Sequence, residues 1–142
     1  MSSRGVVEVR RLLKKSPKIV FRMWTDPVRM VRWMSPYPGP VACTAEADAR
    51  VGGNFRLAMG GPDAVCEISG SYVAVDPYER LAFTWKGPTT LDVETLVTVT
   101  LKPVGEGTEL VLIHERLPQQ GQQGYSGGWT TMLGHLEESI AD

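Results

Sequence analysis

Metal-binding and nucleophilic side chains are scarce in this chain. It has 142 residues but only two cysteines, Cys43 and Cys66, and two histidines, His114 and His135. The cysteines are too few and too far apart for a zinc motif, and a lone histidine needs further ligands, so no metal or cofactor is expected. A disulfide would require the fold to bring the two thiols together, which spacing alone does not show. No charge of one sign dominates either. Lys and Arg number 15 against 16 Asp and Glu, a net charge of -1. That leaves no global basic field to favour nucleic acid or an anionic membrane. The densest basic group, Arg10, Arg11, Lys14 and Lys15, reads as a solvated strand end. Long apolar runs are missing too. The start, MSSRGVVEVRRLL, lacks a signal-peptide core, and no stretch approaches a membrane span. The expected setting is a reducing cytoplasm with two free thiols. There is no Gly-x-Ser-x-Gly elbow, no Cys/His nucleophile arrangement and no carboxylate pair on one expected face. Arg50-Val51-Gly52-Gly53 precedes a strand, not a helix, so it reads as a turn and not as a phosphate loop.

What is present is the pattern of one globular domain, expected to span residues 1–142, with 42% hydrophobic and 22% charged residues. The last stretch, GGWTTMLGHLEESIAD, organises the rest. Trp129, Met132, Leu133, Leu136 and Ile140 fall at 0, +3, +4, +7 and +11, one apolar stripe at helical period. His135 lies off that stripe and is expected on the surface. Before it, Leu117 to Gly128 reads as a mobile Gln- and Gly-rich connector.

The chain opens with a strand to about Leu13. Ser16-Pro17 then signals a capped helix with Ile19, Val20, Met23 and Trp24 on its apolar face. Asp26-Pro27 starts a second short helix carrying Met30, Val31, Trp33 and Met34. Ser35 to Pro40, with three prolines, is a loop. Strands are expected over Val41–Ala49, Phe55–Met59, Ala64–Val75 with Gly70 as a bulge, Arg80–Lys86, Glu94–Lys102 and Thr108–Arg116. Phe55, Leu57 and Met59 share one face, which puts Arg56 on the solvent side. On the last strand, Leu110, Leu112 and His114 lie on one face and Val111 and Ile113 on the other, so both faces are expected to be buried. The order is strand, two short helices, about six antiparallel strands, long helix. The fold class is α+β, a helix-grip, with a curved antiparallel sheet wrapped around the C-terminal helix.

Specific residues sharpen this. They include Ser16-Pro17-Lys18-Ile19-Val20-Phe21 with Trp24-Thr25-Asp26-Pro27, then Arg32-Trp33 and Arg50-Val51-Gly52-Gly53-Asn54-Phe55. Asp76-Pro77, Arg80-Leu81 and Phe83-Thr84-Trp85 follow, then Val97 to Leu101, Gly107-Thr108 with Leu110, His114-Glu115 and Gly128-Trp129. Their joint order and spacing resemble the SRPBCC (START-like) superfamily. More narrowly, they resemble its AHSA-type branch, named for activators of a heat-shock chaperone ATPase. The resemblance implies a deep pocket between sheet and C-terminal helix that holds a hydrophobic or amphipathic small molecule. Eukaryotic activators carry a further N-terminal domain with an Asn/Trp/His-rich segment, and these residues show no such segment. The branch name is therefore no evidence of co-chaperone activity.

Candidate ligand-binding residues follow from the two walls this layout implies. One wall is the helix stripe, Trp129, Met132, Leu133 and Leu136. The other is the sheet, Phe55, Leu57, Met59, Trp85 and His114, with Met30, Trp33, Met34 and Tyr37 as a lid. Trp33 and Trp129 are placed at the pocket mouth, Trp24 in the core. The methionines suit an adaptable cavity. His114 and Tyr37 would orient the ligand, and the loops Ser35–Pro40 and Pro118–Gly128 would gate it. The leading expectation is a small-molecule binding protein, a monomer or a homodimer. The alternatives are a cyclase- or hydrolase-like enzyme in the same cavity, with His114 as its acid or base, and a chaperone-interacting module.

Overall fold

Period-two alternation turns most of this chain into strand, and the few helical stretches are fixed by their caps. A computed structural model describes residues 4–37, 42–60, 65–118 and 122–140. The elements are β1 (Arg4–Leu13), α1 (Pro17–Thr25), α2 (Pro27–Met30), β2 (Cys43–Ala47), β3 (Asn54–Gly60), β4 (Val65–Asp76), β5 (Arg80–Trp85), β6 (Thr95–Val104), β7 (Gly107–Pro118) and α3 (Gln122–Ile140). A 3-10 turn, Pro88–Thr90, separates β5 from β6. The seven strands form one antiparallel sheet in the order β1-β7-β6-β5-β4-β3-β2. The first strand closes against the last, so the sheet curls and offers a concave face. The helices fill that face, giving the helix-grip architecture.

Local chemistry starts each short helix. The Ser16 hydroxyl accepts from the Ile19 N–H at 3.4 Å, with Pro17 in the first turn, where its missing N–H costs nothing. The Asp26 carboxylate accepts from the Val28 N–H at 3.0 Å and also pairs with Arg29. Proline at position 27 forces the break between the helices, so the chain bends and brings Trp24 and Trp33 to 4.6 Å, edge to face. On the far side, Arg11 of β1 clamps α3. Its guanidinium lies 3.2 Å from Glu137 and donates to the Thr130 carbonyl at 3.4 Å.

The core is the concave face. Leu110, Leu112 and His114 are fully buried, and so are Trp129, Leu133 and Leu136 opposite them. Each large aliphatic or aromatic side chain contributes about 1.5–3 kcal/mol through burial. Arg56 is exposed on the convex face, as its alternation requires.

Three expectations are corrected. Val111 and Ile113 are only half-buried, because the helices cover one face of the sheet and the other meets solvent. Gly70 is not a bulge: the register runs straight through Phe55 opposite Gly70, and the irregularity falls between Tyr72 and Ala74. Glycine is needed there for close approach, since a Cβ would sit 2.0 Å from the Thr84 carbonyl oxygen and 2.5 Å from the Phe55 ring. Most of the expected connector from Leu117 to Gly128 is regular structure. Strand β7 continues through Pro118 and α3 begins at Gln122, so Gly127 and Gly128 lie inside the helix. Buried Tyr125 anchors that added turn and offsets its poor helix propensity. The expected strand residue Val41 and the loop residues Pro38–Pro40 lie outside the described residues.

Candidate functional site

One end of the grip is not filled by side chains. Between the ends of β3, β4 and β5 and the first half of α3 lies a cleft of about 640 Å³. Met59 and Cys66, cross-strand partners on β3 and β4, form its floor with Trp85, the last residue of β5. Helix α3 supplies Tyr125, Gly128 and Met132, spaced at +3 and +7 on one helical face, with Thr131 beside them. Two lips frame the opening. One is the turn after β5, with Pro88, Thr89 and the exposed Leu91, held with its backbone in the left-handed region at φ 56°. The other is Pro36-Tyr37.

That second lip is tied down. A ring nitrogen of His135, Nε2, donates to the Tyr37 carbonyl at 3.0 Å. His135, expected on the surface, is thus partly buried with a side chain 13% exposed. Gly128 of α3 packs close to this lip: a Cβ there would stand 3.5 Å from Pro36, an ordinary contact.

The polar groups of the cleft are linked. Trp85 Nε1–H donates to the Tyr125 hydroxyl at 3.1 Å, and that hydroxyl also meets the Thr89 hydroxyl. Thr89 in turn bonds the Cys66 thiol. Burial pushes both Cys66 and Tyr125 above their ordinary pKa, partly offset by these hydrogen bonds. Both groups are therefore protonated donors at neutral pH. Cys43 and Cys66 both sit opposite Met59, on either side of β3. Two strand spacings, about 9.5 Å, separate them, beyond disulfide reach.

His114 lies behind this network, sealed in the core. Trp129 Nε1–H donates to its Nδ1 at 3.0 Å. Its Nε2 lies 2.7 Å from the Thr95 hydroxyl, which itself donates to the Trp85 carbonyl at 2.6 Å. Thr95 has spent its one proton on that carbonyl, so His114 carries its hydrogen on Nε2 and donates it. Burial lowers the imidazole pKa to about 3. His114, expected as an acid or base or as a ligand-orienting group, is thus neutral, hydrogen-bonded at both ring nitrogens, and not among the residues that line the cleft.

The other candidates sort by position. Tyr37, Met59, Trp85 and Met132 border the cleft. Met30, Met34, Phe55 and Leu57 surround a residual void of only about 10 Å³, at the lower limit for one water. Trp33 and Trp129, expected at a mouth, are fully buried, and Trp33 Nε1–H donates to the Met23 carbonyl at 2.8 Å. Leu133 and Leu136 are packed in the core. Cys66, Thr89, Leu91, Tyr125 and Thr131 border the cleft without having been singled out in the sequence. Tyr125 had a signal: it precedes Trp129 by four residues and extends the apolar stripe one turn back.

Among the described residues, no group of three or more His, Cys, Asp or Glu side chains is placed to hold a metal ion. Nor is any described helix long and apolar enough to cross a membrane.

Known proteins place this geometry in a lineage. Residues 14–141 match the family described as Activator of Hsp90 ATPase homolog 1-like protein. No curated protein matches the sequence significantly. Among solved structures, protein CV1439 from Chromobacterium violaceum is 26% identical, with a TM-score of 0.83 over 94% of each chain. CalU16 from Micromonospora echinospora is 25% identical, with a TM-score of 0.72 over 96% of this chain and 84% of its own. NE0264 from Nitrosomonas europaea is 22% identical and shares the fold, with a TM-score of 0.79 over 96% of this chain and 94% of its own. The chain belongs to the Activator of Hsp90 ATPase homolog 1-like family, an AHSA-type branch of the SRPBCC superfamily.

Proposed function

From that membership and the cleft together, we propose that the chain is a small-molecule binding protein. Its ligand, hydrophobic or amphipathic, would lie between Trp85, Met59 and Cys66 on the sheet side and Tyr125 and Met132 on α3. Fold alone does not carry this, because one scaffold serves many functions. The observation that supports it is the cleft itself: a preformed concavity of about 640 Å³ walled by aromatic and thioether groups beside a small polar cluster. Sites for small molecules have this size and composition. Each 100 Å² of apolar surface removed from water would contribute about 2.5 kcal/mol. Two thioethers, Met59 and Met132, give opposite walls that adapt to shape.

Thermal unfolding against a panel of uncharged apolar compounds tests the reading. A binder present at about one hundred times its Kd raises stability by about 2.7 kcal/mol. Chemical-shift changes should then concentrate at Met59, Thr131 and Met132. A panel that leaves both melting temperature and these resonances unmoved would refute it.

A further inference from the structure

The proton bookkeeping of the cleft leaves one donor unspent. Tyr125 and Thr89 each carry one hydroxyl hydrogen, and one of the two spans the pair. Trp85 Nε1–H fills one acceptor position on the Tyr125 oxygen. The second hydroxyl hydrogen therefore has the Cys66 sulfur as its protein partner, or it points into the cleft. Thiol sulfur is a weak acceptor, so a ligand oxygen in reach would replace it with a gain. None of the described lining residues carries a charge. A carboxylate or ammonium lodged there would give up its hydration with no counter-ion in return.

Resting on the reading of the cleft as a ligand site, we infer that the Thr89–Tyr125 hydroxyl pair is its specificity anchor. It selects a neutral ligand that presents a carbonyl or similar uncharged oxygen acceptor. Prolines 36 and 88 and the small residues Gly127 and Gly128 leave room for an apolar body beside the pair. Trp85 fixes the anchor in place, because its indole N–H holds the Tyr125 oxygen and its ring packs 5.1 Å from Trp129. The ligand oxygen would meet the Thr89–Tyr125 pair, and the apolar body would extend towards Met132.

Three probes of nearly one shape test the inference: 2-acetylnaphthalene, 2-isopropylnaphthalene and 2-naphthoate, titrated by calorimetry and amide chemical shifts. The ketone should bind about three- to tenfold tighter than the hydrocarbon, the worth of one net hydrogen bond. The carboxylate should bind at least about tenfold weaker than the ketone. In the double variant Thr89→Val/Tyr125→Phe the ketone should lose its advantage over the hydrocarbon, and circular dichroism with the urea midpoint reports whether the fold is intact. A second readout needs no variant: the Trp85 Nε1–H resonance should move further with the ketone than with the hydrocarbon, because only the ketone competes for the hydroxyl pair that this N–H bonds. Equal affinity for ketone and hydrocarbon in the native protein would overturn the anchor and leave the cleft as a ligand site. A ketone advantage that survives the double substitution would overturn it too, as would a carboxylate that binds as well as the ketone. If none of the three probes perturbs the cleft resonances, the binding reading itself falls and the anchor with it.

Discussion

Acid should weaken this protein through His114. In the unfolded chain a histidine titrates near 6.5. In the folded core His114 is held neutral, with burial lowering its pKa to about 3. Between those two values the unfolded state binds the extra proton and the folded state does not. The stabilising difference is therefore complete above about pH 6.5 and is lost as pH falls towards 3. The slope is about 1.4 kcal/mol per pH unit, so at pH 4.5 the deficit reaches about 2.7 kcal/mol. That is a large share of the 5–15 kcal/mol typical of a domain. The geometry gives the reason. An imidazolium donates from both ring nitrogens and needs two acceptors, but Nδ1 faces the Trp129 N–H, which is itself a donor. Urea unfolding at pH 7.5, 6.5, 5.5 and 4.5 would measure the effect in the native protein and in His114→Gln. The variant should start about 1–3 kcal/mol lower, since it disrupts the Trp129 and Thr95 bonds. It should then fall less steeply, so that the two curves converge by about 2.7 kcal/mol at pH 4.5. The His114 imidazole resonances should show the Nε2–H tautomer and hold still across the same range. Parallel stability curves, or a folded-state titration of His114 near pH 6.5, would refute the reasoning.

Other consequences are simpler to check. Gly70→Ala would drive a Cβ to 2.0 Å from the Thr84 carbonyl oxygen and should cost more than about 2 kcal/mol or abolish folding, read by urea midpoint. Gly127→Ala meets nothing within 4 Å inside a helix and should add about 0.5–1 kcal/mol on the same assay. Trp129→Phe and Trp24→Phe remove the same volume, yet the first should cost about 1–3 kcal/mol more. It strands His114 Nδ1, whereas the Trp24 N–H has no partner among the described residues. Oxygen exposure should leave two free thiols by mass, and both should react slowly with a disulfide reagent at pH 7. Burial raises Cys43 to about 11 and raises Cys66 as well, so their rates should climb as pH rises.

Architecture was far more legible than the site. Period-two runs such as Phe55, Leu57 and Met59, and the capped starts at Ser16 and Asp26, are local signals that the backbone obeys. The helix stripe from Trp129 to Ile140 showed which face is gripped. It did not show where gripping stops. Trp33, Leu133 and Leu136 bear the same apolar mark as Met132, and only three-dimensional packing decides which of them meets another side chain and which meets space. His114 was conspicuous as a lone histidine on an apolar face. Its role depended on Trp129, 15 residues away, and Thr95, 19 residues away. The cleft rim was least visible of all, because Cys66, Thr89 and Tyr125 come from three separate elements and form no motif in sequence.

The crowding of indoles inside the grip gives the molecule an optical property. Trp24 lies 4.6 Å from Trp33 and 6.0 Å from Trp129, and Trp129 lies 5.1 Å from Trp85. At such separations excitation hops between rings faster than it decays, so the four behave as one antenna. Trp85 alone of them borders the 640 Å³ cleft. A quencher brought into the cleft beside this single ring should therefore darken the emission of all four.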